Sequence, residues 1–128
     1  MTMIDIKILD TIKGFMDDEE AVRLFELAGQ AAGLGPVLEI GSYCGRSAAI
    51  MGRACQQNNG ILYSIDHHTG SEEQQPGEEY FDPELFDERT GGINTLPFLR
   101  ETLKKTGLED TVIPIVSTSI VVGKMWQT

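Results

Sequence analysis

Apolar positions along this chain change their period several times, and each change marks an element. Over residues 4–13, Ile4, Ile6, Ile8, Leu9 and Ile12 fit a two-residue and a helical repeat equally, and we read the segment as a helix. The next stretch is sharper. Asp17 stands three residues before Glu20 in a capping-box-like start, and Ala21, Leu24, Phe25, Ala28 and Ala32 recur at three- and four-residue steps up to Gly33. Gly35-Pro36 breaks that helix, and Val37-Leu38-Glu39-Ile40 reads as a short buried strand. Small helix formers from Arg46 to Cys55 predict a helix packed closely on a sheet, and Asn58-Asn59-Gly60 turns the chain into a second strand, Ile61 to Ile65, closed by Asp66. Strand, helix and strand within about thirty residues make a βαβ unit with parallel strands. A further helix starts at Asn94 or Thr95 and carries Leu96, Leu99 and Leu103, with Lys104 and Lys105 at its negative end. A third strand follows from Val112 to Val116. Pro114 cannot donate to a ladder, so this strand belongs at a sheet edge. Right-handed crossovers then give the order 3-2-1. The expected fold class is α/β and Rossmann-like: one domain over residues 1–128, a three-stranded parallel half-sheet with flanking helices and no second core.

Composition narrows the function. The 128 residues carry ten Lys and Arg against twenty Asp and Glu, a net charge of -10. That excess repels nucleic-acid phosphates and anionic lipid and suits a small, partly cationic ligand. Apolar residues make up 41% of the chain, enough for a core. Cys44 and Cys55 are too few for a disulfide framework and form no CxxC pair, so a reducing cytoplasm is expected. No apolar run is long enough for a membrane span, and the first residues carry no basic export signal.

The chemically informative constellation runs from Glu39 through Gly41, Ser42, Tyr43, Gly45 and Ser47, with Asp66 ending the second strand 21 residues after Gly45. Gly41 allows a tight exit from the first strand, Gly45 allows close helix approach, and the helix N-terminus presents unpaired N–H groups to an anion. An acid at the end of the second strand can grip a ribose diol. The plainer alternative is a tight turn with Asp66 capping a loop; the two features together favour a nucleoside site. Dinucleotide fingerprints have a glycine where this chain has Tyr43, which would crowd a pyrophosphate. S-adenosylmethionine has no phosphate, needs only its carboxylate held, and places a sulfonium that an aromatic ring attracts.

The segment Val37 to Ser47 resembles the first motif of class I S-adenosylmethionine-dependent methyltransferases, especially the catechol-type O-methyltransferases. Through Asp66-His67-His68 the chain is similar to a related methyltransferase family of largely unassigned substrates; the resemblance covers roughly residues 16 to 126. It implies that Glu39 sits near the cofactor amine, that Gly41 and Ser42 give backbone contacts, and that Ser47 holds the carboxylate. It also implies Tyr43 behind the sulfonium, Asp66 on the ribose and Ser119 near adenine; His67, following Asp66, is read as flanking ribose and adenine. The resembling enzymes carry a polar residue after that serine; this chain has Ile120.

Residues 67–93 form a long acidic connection with eight acids and one base, Arg89, expected to act as a lid or to be disordered apart from aromatic anchors at Tyr80, Phe81 and Phe86. His67 and His68 near several glutamates could suggest a metal, but a solvated acidic face is the reading taken, with no metal site. The resembling fold is seven-stranded, and only its first half is present. The expected function is therefore the cofactor-binding half of a methyltransferase acting on a small-molecule acceptor, with no catalytic base assigned. Two rivals stand: a nicotinamide-dependent (NAD) oxidoreductase fragment, and a non-catalytic oligomerisation module. The open edge of the first strand predicts a homo-oligomer.

Overall fold

The computed structural model describes residues 6–126. Helix α1, Ile6–Leu9, is followed by α2, Asp18–Ala32. Asp17 caps α2 by accepting the Glu20 N–H at 2.8 Å, while Asp18, Glu19 and Glu20 complement the positive end of the helix dipole. Strand β1, Val37–Ile40, leads into α3, Arg46–Gln57, and strand β2, Leu62–Asp66. Helix α4, Leu96–Lys105, strand β5, Val112–Val116, and the short helix α5, Ser119–Met125, complete the main layer. Between β2 and α4 lies a two-residue antiparallel ribbon of β3, Phe86–Asp87, and β4, Gly92–Ile93.

The main sheet has the order β1-β2-β5, all parallel, with Pro114 on the outer strand as its missing N–H requires. Register places Val37, Leu62 and Val112 in one row. All three are buried, and α3 and α4 pack Ile50, Ala48, Leu99 and Leu103 into the same core. The next positions form two apolar rows, Leu38-Tyr63-Ile113 and Ile40-Ile65-Ile115, on the other face. Only part of that face is covered: Trp126 meets Tyr63 edge-on with ring centroids 5.6 Å apart, while Leu38 and Ile40 stay exposed.

The other expected helices, the strands and the sheet order are found, but of the helix expected over residues 4–13 only Ile6–Leu9 is helical, and the first two positions of that segment lie outside the described residues. The connection 67–93 departs from expectation. It holds two 3-10 turns, Glu72–Gln74 and Pro83–Leu85, besides the ribbon. Cys44, Leu85 and Ile93 are buried together with Tyr43, Phe81 and Phe98 against them, which corrects the expectation of no second core. Elements of two or three residues leave too short a pattern to read from apolar spacing. Phe81 anchors this cluster as expected; Tyr80 and Phe86 do not and remain exposed.

Candidate functional site: a cleft at the strand tips

The turn after β1 is built by backbone conformations that few residues adopt. Gly41 has φ +96, and a Cβ placed on it would meet nothing within 4 Å, so its bare backbone faces open space. Tyr43 adopts φ +50, an uncommon conformation for a side chain of its size, and its N–H donates to Asp66 Oδ2 at 2.8 Å. Asp66 Oδ1 accepts the His68 N–H at 2.9 Å. The acid at the tip of β2 therefore clamps the β1 turn to its own exit loop, and each oxygen keeps lone-pair capacity for another donor.

Beneath the turn runs a buried polar chain. Ser42 donates to Ser64 at 2.5 Å, Ser64 donates to Glu39 Oε1 at 2.7 Å, and Ser47 donates to Glu39 Oε2. Burial pushes the Glu39 carboxyl above its ordinary value, and the Ser47 and Ser64 hydroxyls pull it back. Because the Ser47 hydroxyl is committed to Glu39, what the first turn of α3 offers a ligand is its N–H groups, which lack intrahelical acceptors.

These residues wall a cleft of about 500 Å³, within the ~300–1,000 Å³ usual for ligand sites. Gly41, Ser42, Tyr43, Ser47, Asp66 and His67 all line it. Of the other sequence-predicted residues, Glu39 lies below it and acts through Ser47, and Gly45 lies behind it as the residue before α3. Ser119 opens α5 and is not part of this wall. His67 is exposed at the rim, its Nδ1 accepting the Thr69 N–H at 3.1 Å.

Sequence reasoning missed the opposite wall, made by Lys13, Gly14, Phe15, Met16 and Glu20 with Ser71, Gln74 and Thr95 from the acidic connection and its exit. No motif marks these positions, because they reach the cleft through contacts distant in sequence. Lys13 pairs with Asp82 at 2.6 Å and Glu84 at 3.5 Å. The pair holds Lys13 above and Asp82 below their ordinary pKa values. Arg46 donates to the Leu9 and Ile12 carbonyls, so the segment after α1 is tied to the start of α3. An isolated Phe15 beside Gly14, and a serine inside the apolar run of β2, are the faint signals available for this wall and for the Ser64 network.

The donor set fits S-adenosylmethionine. Two oxygens of Asp66 can receive ribose hydroxyls, the α3 N-terminus can receive a carboxylate, and Tyr43 adjoins the space between. Among the described residues no group of three His, Cys, Asp or Glu side chains is placed to hold a metal ion.

Comparison with known proteins gives the family and the fold. Residues 38–126 match a family described as a methyltransferase domain. The chain belongs to this methyltransferase-domain family. The fold resembles that of cofactor-bound Rv0187 from MTB, with TM-score 0.60, 17% identity, and coverage of 94% of this chain and 45% of that one. An S-adenosylhomocysteine (SAH)-bound methyltransferase of Podospora anserina, PaMTH1, matches with TM-score 0.48 and 16% identity over 96% of this chain and 51% of its own. The chain thus spans about half the length of these solved structures. The α/β fold of this chain, with its parallel three-stranded sheet and flanking helices, is similar to part of the methyltransferase-type fold.

Proposed function

We propose that this chain is the S-adenosylmethionine-binding half of a methyltransferase that acts on an oxygen or nitrogen of a small molecule. The observation that carries the reading is that Gly41 and Asp66, from neighbouring parallel strand tips, line one cleft. When bound, S-adenosylmethionine supplies an electrophilic methyl group that an acceptor lone pair displaces from sulfur.

The protein's contribution is placement. Asp66 orients the ribose while its two backbone bonds fix its own rotamer. The N–H groups of the first turn of α3 hold the carboxylate. Tyr43 presents its ring next to the sulfonium, where cation–π attraction contributes about 0.5–2 kcal/mol. Its N–H is used by Asp66 and is not free for a pyrophosphate, which supports an adenosyl ligand over a dinucleotide. His67 borders the ribose end of the cleft, and Ser119 would reach adenine only if the ligand extends past the strand tips towards α5. The Cys44 and Cys55 thiols are both free and buried, which supports a cytoplasmic setting, and no helix among the described residues is long and apolar enough to cross a membrane.

Calorimetric titration with SAH tests the reading. Binding by the unaltered protein is expected, and Asp66→Asn should weaken it about ten- to a hundredfold, from the ~1.5–3 kcal/mol of a hydrogen bond to a charged group. Circular dichroism confirms that the variant is folded. Absence of SAH binding by the folded protein, or preferential NAD binding, overturns the assignment.

A further inference from the structure

A second cavity of about 430 Å³ adjoins the first and shares Phe15, Ser71 and Gln74 with it; Glu73 and Tyr80 complete its wall. An aromatic series connects the two. Phe15 lies 6.3 Å from Tyr43 on the glycine turn and 6.2 Å from Tyr80, edge-on, in the second cavity. Phe15 is 79% exposed and Tyr80 49%, so two aromatic side chains stand at this mouth with most or half of their surface in water. Exposed aromatic pairs beside a cleft mark binding surfaces rather than packing.

Charge sets what can bind there. The cations on the two walls are Lys13 and Arg46. Lys13 is occupied by Asp82 and Glu84, and Arg46 by two backbone carbonyls. Glu73 and Glu20 add carboxylates to the same walls, and neither makes an ion pair among the described residues. In the second cavity Glu73 is the charged side chain of the wall, so an anionic molecule meets like charge there, whereas an ammonium gains both Glu73 and the negative faces of Phe15 and Tyr80.

We propose that the second cavity is the acceptor site and that it takes a flat aromatic ring bearing an alkylamine, which is protonated at neutral pH. The ring packs on Phe15 and Tyr80 and the ammonium faces Glu73, which leaves the other end of the molecule directed along Phe15 towards Tyr43. This rests on the methyltransferase reading for the word acceptor; the charge and shape preference rests on the cavity alone.

Tryptamine and indole-3-acetate share a ring system and differ in charge, and they serve as probes. Titrated into the SAH-saturated protein and followed by NMR, tryptamine should shift the Phe15 and Tyr80 ring signals and bind at least tenfold more tightly than indole-3-acetate. Tyr80→Ala, at an exposed position, should weaken tryptamine at least fivefold, and Glu73→Gln should shrink the preference for the cation. Equal binding of the two probes, shifts confined to other residues, or a Tyr80→Ala protein with unchanged tryptamine affinity overturns the proposal. The SAH titration fails or succeeds separately: a protein that binds tryptamine in this way but not SAH would refute the methyltransferase reading and keep the cavity's preference.

Discussion

Gly45 shows how one position serves the cleft without touching a ligand. It precedes α3 with φ +97, and a Cβ there would stand 2.8 Å from Leu99 Cδ1 and 3.0 Å from Thr102 Cγ2. The glycine therefore lets α4 press against the start of α3, and Thr102 uses that closeness to donate to the Cys44 carbonyl at 2.7 Å. Gly45→Ala combines a disfavoured backbone conformation with overpacking, and we expect it to destabilise the fold by about 2–3 kcal/mol. Chemical denaturation measures this directly, and a change below about 0.5 kcal/mol would mean the helices shift apart without cost. Gly41 differs because its absent side chain faces open space, so a substitution there is strained by backbone conformation alone. The tight exit at Gly41, the close helix approach at Gly45 and the placing of Asp66 at a strand tip were legible in sequence because backbone freedom and strand ends are local properties. That Glu39 reaches the cleft through hydroxyls, directly by Ser47 and by Ser64 and Ser42 in series, was not, since it depends on Ser64 of the neighbouring strand completing the carboxylate's partners.

At the scale of elements, the acidic connection is held in place by contacts to three other parts of the chain. Lys13 binds Asp82, the satellite core buries Leu85 and Ile93, and His68 ties its first residues to α4. His68 is 2% exposed with φ +62; its Nδ1 lies 2.6 Å from Thr95 Oγ1, its carbonyl accepts the Thr95 N–H, and Nε2 has no partner among the described residues. Burial pushes the imidazole below its ordinary value of 6.5, the Asp66 carboxylate pulls the other way, and His67 adds to the lowering. A folded-state value below the unfolded one means that the stabilisation is complete above about 6.5 and is lost as the pH falls through the folded value. The unfolding midpoint should therefore drop on acidification from pH 7.5 to 5, and His68→Gln should flatten that part of the profile. Glu39, raised by burial, acts in the opposite direction, because its contribution is present below its ordinary value and lost as the pH rises. A His68→Gln profile parallel to that of the unaltered protein would assign the acid sensitivity elsewhere. Sequence patterns gave no access to this arrangement: a buried histidine on a loop has the same neighbours in sequence as an exposed one, and His67 beside it is exposed.

For the whole molecule, the parallel sheet and its order followed from apolar runs, the βαβ spacing and Pro114, all of which act within about thirty residues. Beside the open edge expected at β1, the sheet has a bare apolar face. Leu38 is 44% exposed, Ile40 65% and Ile113 40%, and these side chains share the two rows that contain no charged residue. Val121, Met125 and Trp126 extend the apolar surface along α5, with Met125 79% exposed. Contiguous apolar surface of this kind is uncommon on a monomer that stays dispersed in water. The part of Rv0187 matched by this chain is 45% of that protein, so more than half of that chain lies outside the match. We propose that this 128-residue chain covers the face with a second copy, sheet against sheet, through Leu38, Ile40, Tyr63 and Ile113. Each copy carries a net charge of -10, so the rims repel while the centres attract. Screening shortens the reach of that repulsion to about 8 Å at physiological ionic strength, and added salt should strengthen the pair. Light scattering should give twice the 14.1 kDa chain mass at 0.15 M salt, and Ile40→Lys should return it to a single chain while SAH affinity stays within twofold. A dispersed 14.1 kDa species at millimolar concentration and high salt would show that the apolar rows remain in water and would remove the case for self-association.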